Sequence, residues 1–358
     1  MNALISIGAG KSQYPVISKA KKLGYNIISI DKDSKAPGFL ISDERLIKST
    51  FHPKQLINPI LELSKKYNIK GILNRSSGPP VVTAAGLSKA LDIPAYPSEM
   101  AKIIINKHKL MDHCLLNKIP CPSFYSFTGV SQLEKTKLQY PCVVKPSLSL
   151  IGKDGITIVA NKKQLFIAAL RALEASHNKI ALVGEYIYGT DLSLFSFVDK
   201  GKLVPICLLD ELNGEKHTGQ LFGKGFAMPS IFSGTIVEKR VHEIARKIID
   251  VFGLFRSPLI ISCRSKQDGY PKLIEIHLDL GGDLLIERLF PIGLNIDFLS
   301  FAIKLLAGDS ITSHKVKVKP SAIFYKPGDG LNSDRPNIVL KAKNNEELES
   351  KIDRVVYS

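Results

Sequence analysis

The sequence predicts an α/β fold up to Pro97 and an α+β fold for the rest of the chain. Up to Pro97, short apolar runs of β-prone residues alternate with segments of helical spacing, which is typical of an open parallel sheet with helices on both faces. From Ile180 onward, apolar runs are separated by short turns, which is typical of antiparallel pairing. With 358 residues, 44% of them hydrophobic, the chain is long enough for about two to three domains with cores of their own.

The N-terminal part begins with a βαβ unit. Residues 3–7 form an apolar run that predicts a strand, Gly8 and Gly10 end it, residues 15–22 have helical spacing, and residues 26–30 resume a strand that ends at Asp31. The further elements predicted here are a helix over residues 55–67, a strand over 71–73, a turn over 74–80, a helix over 81–91 and a closing segment over 93–97. Such a sheet binds its ligand at the carboxyl ends of its strands.

The glycine-containing turn after the first strand has two interpretations. Gly10-Lys11-Ser12 suggests a P-loop, but that motif requires a glycine where Ile5 stands, and a dinucleotide fingerprint requires one where Gln13 stands. The P-loop is therefore excluded, and the dinucleotide fingerprint is incomplete. The turn either lets helix and strand pack closely or binds a small anionic substrate at the helix N-terminus.

The elements after Pro97 follow from the same signals. Residues 199–202, Asp-Lys-Gly-Lys, form a hairpin turn, and residues 233–252 place Ile236, Ile244 and Ile248 on one helical face. The full set comprises helices over 99–116, 163–174 and 233–252 and strands over 142–145, 156–160, 180–188, 192–198, 203–209, 259–263 and 273–276. The tail from residue 310 predicts strands over 321–325 and 338–342 and a helix over 345–356.

Composition excludes several classes of protein. The five cysteines form no CxxC pair and leave one odd, which argues against a disulfide framework or a thiolate zinc site and for reduced thiols in the cytosol. No apolar run approaches the ~20 residues of a membrane span, and the N-terminus lacks a signal-like pattern. The net charge of +16 is scattered rather than massed with aromatics, so we expect a basic surface that attracts anionic substrates and no specific nucleic-acid binding.

Several stretches in the middle of the chain carry a family resemblance. Residues 106–109, 118–122 and 140–146 read NKHK, KIPCP and YPCVVKP, which is similar to the pattern NKxxxK, IPxP and PxVVKP. Residues 183–193 read VGEYIYGTDLS, and residues 274–283 read IEIHLDLGGD. In this order the motifs resemble those of the ATP-grasp superfamily, and the similarity extends from about residue 3 to 305.

The resemblance implies an architecture of the biotin carboxylase type. We expect a Rossmann-like pre-ATP-grasp domain over residues 1–97, a two-lobed ATP-grasp fold, and a short β-rich cap over residues 310–358. The large lobe would comprise residues 98–122 and 188–309, and the small lobe, which carries the lid, residues 123–187. The implied cofactors are ATP and Mg²⁺, with Mn²⁺ as an alternative.

Two lysines resemble those with which the family holds the ATP phosphates. Lys145 ends the buried run Cys142-Val143-Val144, where a charge usually has a partner, whereas Lys107 also fits a solvated helix lysine. The resemblance makes residues 147–155 the lid over the phosphates, with Ser147, Gly152 and Gly155 in contact with them. This lid departs from the usual form by having only two glycines and by carrying Lys153 and Asp154.

The second motif resembles the family's adenine hinge. Glu185 and Asp191 share one face if both lie on one strand, and the resemblance assigns them to the adenine amino group and the ribose hydroxyls. Tyr186 and Ile187 would bond the adenine edge through their backbone. The alternative interpretation is a pair of exposed strand acids.

The third motif resembles the family's magnesium strand but departs from it. Glu275 matches the metal-binding carboxylate, whereas His277 stands for an asparagine, Asp279 for an arginine, and Ser262 for a second acid. Glu275, His277 and Asp279 would share one polar strand face. Glu275 with Asp279 or Asp283 could hold Mg²⁺ through oxygen ligands, and a His/Asp/Glu cluster leaves zinc or manganese as the alternative.

Another cation must replace the missing arginine in phosphoryl transfer. The candidates are Arg264, Arg288 and Lys224, each of which also fits a surface charge. Residues 223–230 resemble the loop that borders the acceptor site of carboxylate–amine ligases, which makes Gly225 a substrate-site candidate together with Asp283 and Ser77.

The resemblance implies a cytosolic ATP-dependent ligase. Such an enzyme activates a small carboxylate as an acylphosphate, which an amine attacks, and it needs no covalent enzyme intermediate. One alternative is a carboxylation enzyme of the biotin carboxylase or purine-biosynthesis type. Another is a nucleotide-binding regulatory protein without turnover, suggested by His277, Asp279 and Ser262. We expect small-molecule partners and no membrane, and the sequence leaves a homodimer open.

Overall fold

The computed structural model describes residues 1–149, 153–267, 269–282, 284–309, 316–325 and 338–357. Gly152 and Asp283, both predicted site residues, lie outside these ranges. Within them the strands form three sheets, one of four parallel strands and two that are antiparallel. The predicted fold class is therefore confirmed. None of the described helices is long and apolar enough to cross a membrane.

The N-terminal sheet is parallel. Its strands are β1 (Asn2–Ile7), β2 (Asn26–Asp31), β3 (Glu44–Ile47) and β4 (Asn68–Asn74), in the spatial order β3-β2-β1-β4. The helices that follow β1, β3 and β4 are α1 (Tyr14–Lys22), α2 (Lys54–Ser64) and α3 (Pro79–Ala90). The carboxyl ends of β1 and β4 lie side by side, since Ile7 pairs with Asn74. The turns that follow these two strands therefore meet at one edge.

The small antiparallel sheet has a core of its own. It comprises β5 (Phe124–Phe127), β6 (Cys142–Pro146), β7 (Thr157–Val159) and β8 (Ala181–Glu185), in the order β5-β8-β6-β7. Helix α6 (Lys162–Ala175) covers one face, where Leu165 and Ala169 pack with Val144 and Val183. Asn161 caps this helix by accepting the backbone N–H of Gln164 at 3.1 Å. This small unit carries the predicted lid.

The large sheet has seven strands. They are β9 (Thr190–Asp199), β10 (Lys202–Glu215), β11 (Leu221–Met228), β12 (Arg256–Ser265), β13 (Lys272–His277), β14 (Ser321–Phe324) and β15 (Ile338–Lys341). Their spatial order is β13-β12-β9-β10-β11-β14-β15. The strands β14 and β15, predicted as part of a small cap, extend the edge of this sheet next to β11.

Helices cover both faces of the large sheet. Helix α7 (Ile236–Phe252) begins after Thr235, whose side chain accepts the N–H of Val237, and it buries Ile248 and Phe252 completely. The opposite face carries an aromatic cluster that includes Phe195 and Phe197. The remaining helices are α4 (Ser98–Ile104), α5 (Lys107–Leu116), α8 (Phe290–Gly293), α9 (Phe298–Ala307) and α10 (Asn345–Tyr357).

The predicted helix over residues 99–116 is broken into α4 and α5. Asn106 is extended (φ −108°, ψ 104°), its side-chain amide nitrogen donates to the backbone carbonyl of Lys102 at 2.8 Å, and its side-chain oxygen Oδ1 accepts from the Asn178 amide at 3.0 Å. The prediction of one helix is therefore wrong, because the asparagine side chain replaces the helical hydrogen bonds at this point. The break places Lys107 in the first turn of α5.

The predicted strand continuity between Glu185 and Asp191 is also wrong. β8 ends at Glu185, and β9 begins at Thr190 in the other antiparallel sheet. Gly189 lies between them with φ +135°, and a Cβ there would stand 2.1 Å from the carbonyl oxygen of Ser265. The period-two argument that placed Glu185 and Asp191 on one face therefore does not hold.

Candidate functional site

The three sheets enclose a cavity of about 390 Å³. It is bounded by the small sheet, by the strands β9, β10, β12 and β13, and by the turn after β4. Ten of the predicted site residues line it, namely Ser77, Lys145, Glu185, Tyr186, Ile187, Asp191, Arg264, Glu275, His277 and Asp279. The residues of the separate sequence motifs thus converge on one space, as expected of a ligand site.

Two lysines lie at one end of the cavity: Lys145 lines it, and Lys107 lines a small pocket that adjoins it at Glu275. The ammonium of Lys107 lies 3.2 Å from a carboxylate oxygen of Glu275, whereas Lys145 has no carboxylate within 4.0 Å in the described ranges. Burial lowers the pKa of Lys145 to about 8, a shift that Glu275 opposes and the ammonium of Lys107 reinforces. An anion placed between these two lysines would therefore be strongly attracted.

A second part of the cavity is built from aromatic and charged groups. The Arg264 guanidinium lies 5.0 Å above the Tyr186 ring, donates to the Tyr186 hydroxyl at 3.3 Å, and lies 3.6 Å from a carboxylate oxygen of Asp191. Burial raises the pKa of Asp191, although Arg264 opposes the shift. Glu185 accepts two hydrogen bonds from Lys272 at 2.9 and 2.8 Å. These contacts fix the side chains that line a partly apolar slot.

The predicted metal-binding side chains lie together, as expected. Nε2 of His277 is 3.3 Å from Glu275, and its Nδ1 is 4.0 Å from Asp279. Burial disfavours the charged forms of His277 and Glu275. The carboxylates of Glu275 and Asp279 nevertheless raise the pKa of His277 to about 9. Lys107 and His277 likewise hold the pKa of Glu275 well below its usual range. Asp279 is buried and accepts from the Ser77 hydroxyl and the Gly281 N–H, both at 2.9 Å. Asp279 therefore links the turn after β4, which contains Ser77, to the loop after β13, which contains Gly281.

The donor set fits magnesium better than zinc. The described residues contain no group of three or more His, Cys, Asp or Glu side chains arranged to hold a metal ion, which argues against the zinc alternative. Magnesium is commonly bound by one or two carboxylates while phosphates and water complete its shell. Glu275 lines the cavity and supplies such a carboxylate, with its two oxygens beside Lys107 and His277, whereas Asp279 is buried and bonded to the Ser77 hydroxyl and the Gly281 N–H.

Comparison with known proteins identifies a region that carries part of this cavity. Residues 104–259 match the family model of the ATP-grasp domain. The chain contains an ATP-grasp domain. This finding confirms the resemblance of the lysine and hinge motifs, which lie within the matched residues, whereas the metal-strand motif at residues 274–283 lies beyond them.

Curated relatives match over part of their length. The formate-dependent phosphoribosylglycinamide formyltransferase of Prochlorococcus marinus (strain MIT 9515) is 27% identical over 183 residues, which cover 49% of this chain and 45% of the relative. The chain thus spans a little less than half the length of the curated relatives that it matches.

Solved structures share the fold over nearly the whole chain. N5-carboxyaminoimidazole synthetase from Staphylococcus aureus, complexed with ADP, has a TM-score of 0.76 at 16% identity, covering 98% of this chain and 96% of that one. L-amino acid ligase from Bacillus licheniformis has a TM-score of 0.75 at 17% identity, covering 92% and 81%. At these identities the likeness concerns the fold.

Two residues predicted to contact the phosphates, Ser147 and Gly155, lie away from the cavity. The Ser147 side chain is fully buried, with its hydroxyl 2.6 Å from Nδ1 of His108, while its carbonyl accepts the N–H of Lys107. Ser147 therefore positions Lys107 and does not face the cavity. Gly155 lies behind the lid with φ +70°, where a Cβ would stand 3.0 Å from Ala175, so its role is in the turn.

The predicted acceptor-loop and cation residues are also placed elsewhere. A Cβ on Gly225 would stand 1.9 Å from the carbonyl oxygen of Ile323, so this glycine permits the close approach of β11 to β14. Lys224 lies over Gly214, and Arg288 is exposed; neither lines the cavity. Arg264 lies with Asp191 and Tyr186, which is the hinge part of the cavity.

Sequence reasoning missed three charged residues of this region. Lys153 and Glu211 line the cavity and are paired at 3.1 Å. Arg75 is buried, donates to the Gly281 carbonyl at 3.0 Å, and forms an ion pair with Glu287. The sequence did contain a signal for Glu211, since two acidic residues, Asp210 and Glu211, directly follow the apolar run at 206–209. In the structure β10 continues through both of them to residue 215.

Proposed function

We propose that the chain is an ATP-dependent ligase that activates a carboxylate as an acylphosphate and couples it to an amine, releasing ADP and phosphate. The observation that carries the proposal is that one cavity is lined both by Lys145, a half-buried lysine with no carboxylate partner among the described residues, and by the carboxylate of Glu275, which is paired with Lys107. The ATP-grasp domain and the relatives support the same class of reaction.

The cavity suggests how ATP would lie. The adenine would occupy the slot at Tyr186 and Ile187, where backbone groups bond its edge and Glu185, held by Lys272, accepts from its amino group. Asp191 would accept from the ribose hydroxyls. Lys107 and Lys145 would hold the phosphates, and binding would release Lys107 from its pairing with Glu275.

Glu275 would hold Mg²⁺ together with the phosphate oxygens, and Mn²⁺ would satisfy the same donors. The ion would neutralise charge on the transferring phosphoryl group. His277, placed between Glu275 and Asp279, would keep both carboxylates oriented. Lys145 and Lys107 would stabilise the negative charge that spreads over the equatorial oxygens of the γ-phosphoryl group.

The coupling would proceed in two displacements. An oxygen of the carboxylate substrate attacks the γ-phosphorus, and the bond to the β-phosphate oxygen breaks, which gives the acylphosphate and ADP. The amine then attacks the acyl carbon, loses a proton, and expels phosphate. Ser77, Asp279 and Gly281 border this part of the cavity, next to the N-terminal sheet where the acceptor would enter.

A one-carbon carboxylate is the second candidate substrate class. The curated relatives are formate-dependent formyltransferases, and a structural neighbour is an N5-carboxyaminoimidazole synthetase. Formate or bicarbonate would be activated by the same residues. The five cysteines are buried and unpaired, which supports our placement of the enzyme in the cytoplasm.

Phosphate release from MgATP tests the proposal. We expect release only when a carboxylate and an amine are both present, in panels of formate, bicarbonate and amino acids. MgATP should also raise the melting temperature of the wild type, and Lys145→Ala should lose most of that rise. The control is Lys162→Ala, which removes an exposed lysine of the same small unit. A wild type that binds no nucleotide would refute the proposal.

A further inference from the structure

The floor of the cavity is polar at one end and apolar at the other. On β9 and β12, side chains two residues apart share one face, and each step of two residues advances about 7 Å along the strand. Cross-strand pairs that line the cavity form three successive rows, namely Asp191 with Arg264, Ser193 with Ser262, and Phe195 with Ile260. Glu275 pairs with Ser262 and so belongs to the second row. The third row is apolar on both of these strands.

Apolar groups also form the walls above the third row. Phe195 and Ile260 are buried, and a Cβ on Gly281 would stand 3.0 and 3.1 Å from them, so the loop after β13 lies directly over this pair. Phe226 and Leu285 belong to the same hydrophobic cluster and line the cavity as well. These five residues form what we call the apolar pocket.

We propose that the apolar pocket receives the body of the acceptor, so that the amine substrate of this chain is a primary amine with an aliphatic or aromatic side chain and without a phosphate group. The proposal rests on the ligase function proposed above. It names the class of amine, which that function leaves open.

The apolar pocket lies where the acceptor would stand. In the proposed nucleotide site, adenine occupies the hinge at the first row and the phosphates lie near Glu275, so the reacting end of ATP points toward the third row. His277 pairs with Ile260, and Asp279 follows two residues later, which places this carboxylate at the far edge of the third row. A carboxylate attracts the ammonium form of an amine. The amino group would therefore stay beside Asp279 while the apolar body enters the pocket.

An amine that carries a phosphate does not match this pocket. Within the described ranges, four basic side chains line the cavity, and one of them, Lys145, is assigned to ATP. The other three lie beside carboxylates, namely Lys153 with Glu211, Arg264 with Asp191, and His277 with Glu275 and Asp279. A phosphate in the apolar pocket would therefore lose its hydration without gaining a cation, which is costly.

Calorimetric titration of amines into the protein, saturated with Mg²⁺ and the non-hydrolysable β,γ-imido analogue of ATP, tests the inference. The amines are glycinamide, leucinamide, phenylalaninamide, serinamide and O-phosphoserinamide, in which the carboxyl group is blocked and the side chain alone varies. We expect leucinamide and phenylalaninamide to bind about 10- to 100-fold more tightly than glycinamide, because their side chains become buried. O-phosphoserinamide should bind at least about tenfold more weakly than serinamide.

A matched pair of variants tests the location of the pocket. Phe226→Ala removes a half-buried ring from its wall and should reduce the preference for leucinamide over glycinamide about 3- to 10-fold. The control is Phe124→Ala, which removes an equally half-buried ring from the hinge end of the cavity, where Phe124 pairs with Gly184 beside Glu185. It should keep the preference for leucinamide.

The outcomes separate this inference from the proposed function. Equal binding of glycinamide and leucinamide, absence of binding by every amine, or tighter binding of O-phosphoserinamide than of serinamide would overturn the inference while the nucleotide site stands. An equal loss of preference in Phe226→Ala and Phe124→Ala would show that the pocket is not where we place it. A wild type that binds no nucleotide would instead refute the proposed function.

Discussion

At the scale of single residues, the cavity is a set of charges matched to one another with one exception. Lys107 is paired with Glu275, Arg264 with Asp191, and Lys153 with Glu211, each within 4.0 Å. Lys145 is the exception within the described residues, and its lowered pKa is the cost of burial without a partner. Binding of an anionic ligand would therefore stabilise the ammonium form of Lys145.

The lowered pKa of Lys145 predicts a pH dependence of ATP binding. In the empty site the ammonium loses its proton near pH 8, and Lys107 and Glu275 are the charges that act on it. Phosphates favour the charged form, so ATP affinity should fall as the pH rises from about 7 to about 9.5, by up to about tenfold per unit above 8.

Calorimetric titrations across this pH range provide the measurement. Lys145→Arg is the control, because arginine stays charged throughout and should flatten the profile. A wild-type affinity that is constant over the range would show that Lys145 does not contact the phosphates.

Residue identity was easier to predict than residue orientation. The lysine and acid motifs marked positions that do line the cavity, because buried runs that end in a charge are visible in a sequence. The side chains of Ser147 and Arg264, in contrast, point to partners far away in sequence, namely His108 and Asp191. Nothing local to either residue specifies such partners.

At the scale of elements, the break between α4 and α5 positions Lys107. Asn106 makes the break through its bonds to Lys102 and Asn178, and the apolar spacing on both sides of it is helical. Periodicity therefore predicts one helix where the structure has two. The same limit applies to Glu185 and Asp191, which period-two alternation places on one strand and the structure places on β8 and β9, with Gly189 between them.

Replacing Asn106 should affect both stability and ATP binding. We expect Asn106→Ala to cost about 1 kcal/mol of unfolding free energy, because it loses two hydrogen bonds, and to weaken ATP binding by releasing the start of α5. Urea denaturation and ATP titration give the two quantities.

The control is Asn117→Ala at the other end of α5, where the amide donates to the carbonyl of His113 at 2.9 Å. It should lower stability by a similar amount and leave ATP affinity unchanged. If both variants bind ATP as the wild type does, the break does not serve the site.

At the scale of the whole molecule, contacts from the turn after β4 lock the N-terminal sheet onto the segment that follows β13. Arg75 reaches Gly281 and Glu287, and Ser77 reaches Asp279. Fold class was predictable because alternation of strand and helix signals differs from a series of hairpins. The contacts of Arg75 and Ser77 could not be predicted from the sequence, because they join residues about two hundred positions apart.

Removing the buried guanidinium should destabilise the molecule. Arg75→Met leaves Glu287 without its partner, so we expect a loss of about 3 kcal/mol in unfolding free energy by urea denaturation. Lys21→Ala removes the exposed pair with Asp43 and should cost less than about 1 kcal/mol. Equal, small losses in both variants would show that the Arg75 contact is not important for the association of the two regions.

The acylphosphate is the central claim, and isotope transfer tests it most directly. The protein is incubated with MgATP, an amine and a carboxylate labelled with oxygen-18, with formate, bicarbonate and amino acids tried in turn, and the released phosphate is analysed by mass spectrometry. Our account predicts one labelled oxygen in each phosphate formed with the productive carboxylate, since the acyl–oxygen bond breaks when the amine attacks. Phosphate that carries no label during productive turnover would contradict it.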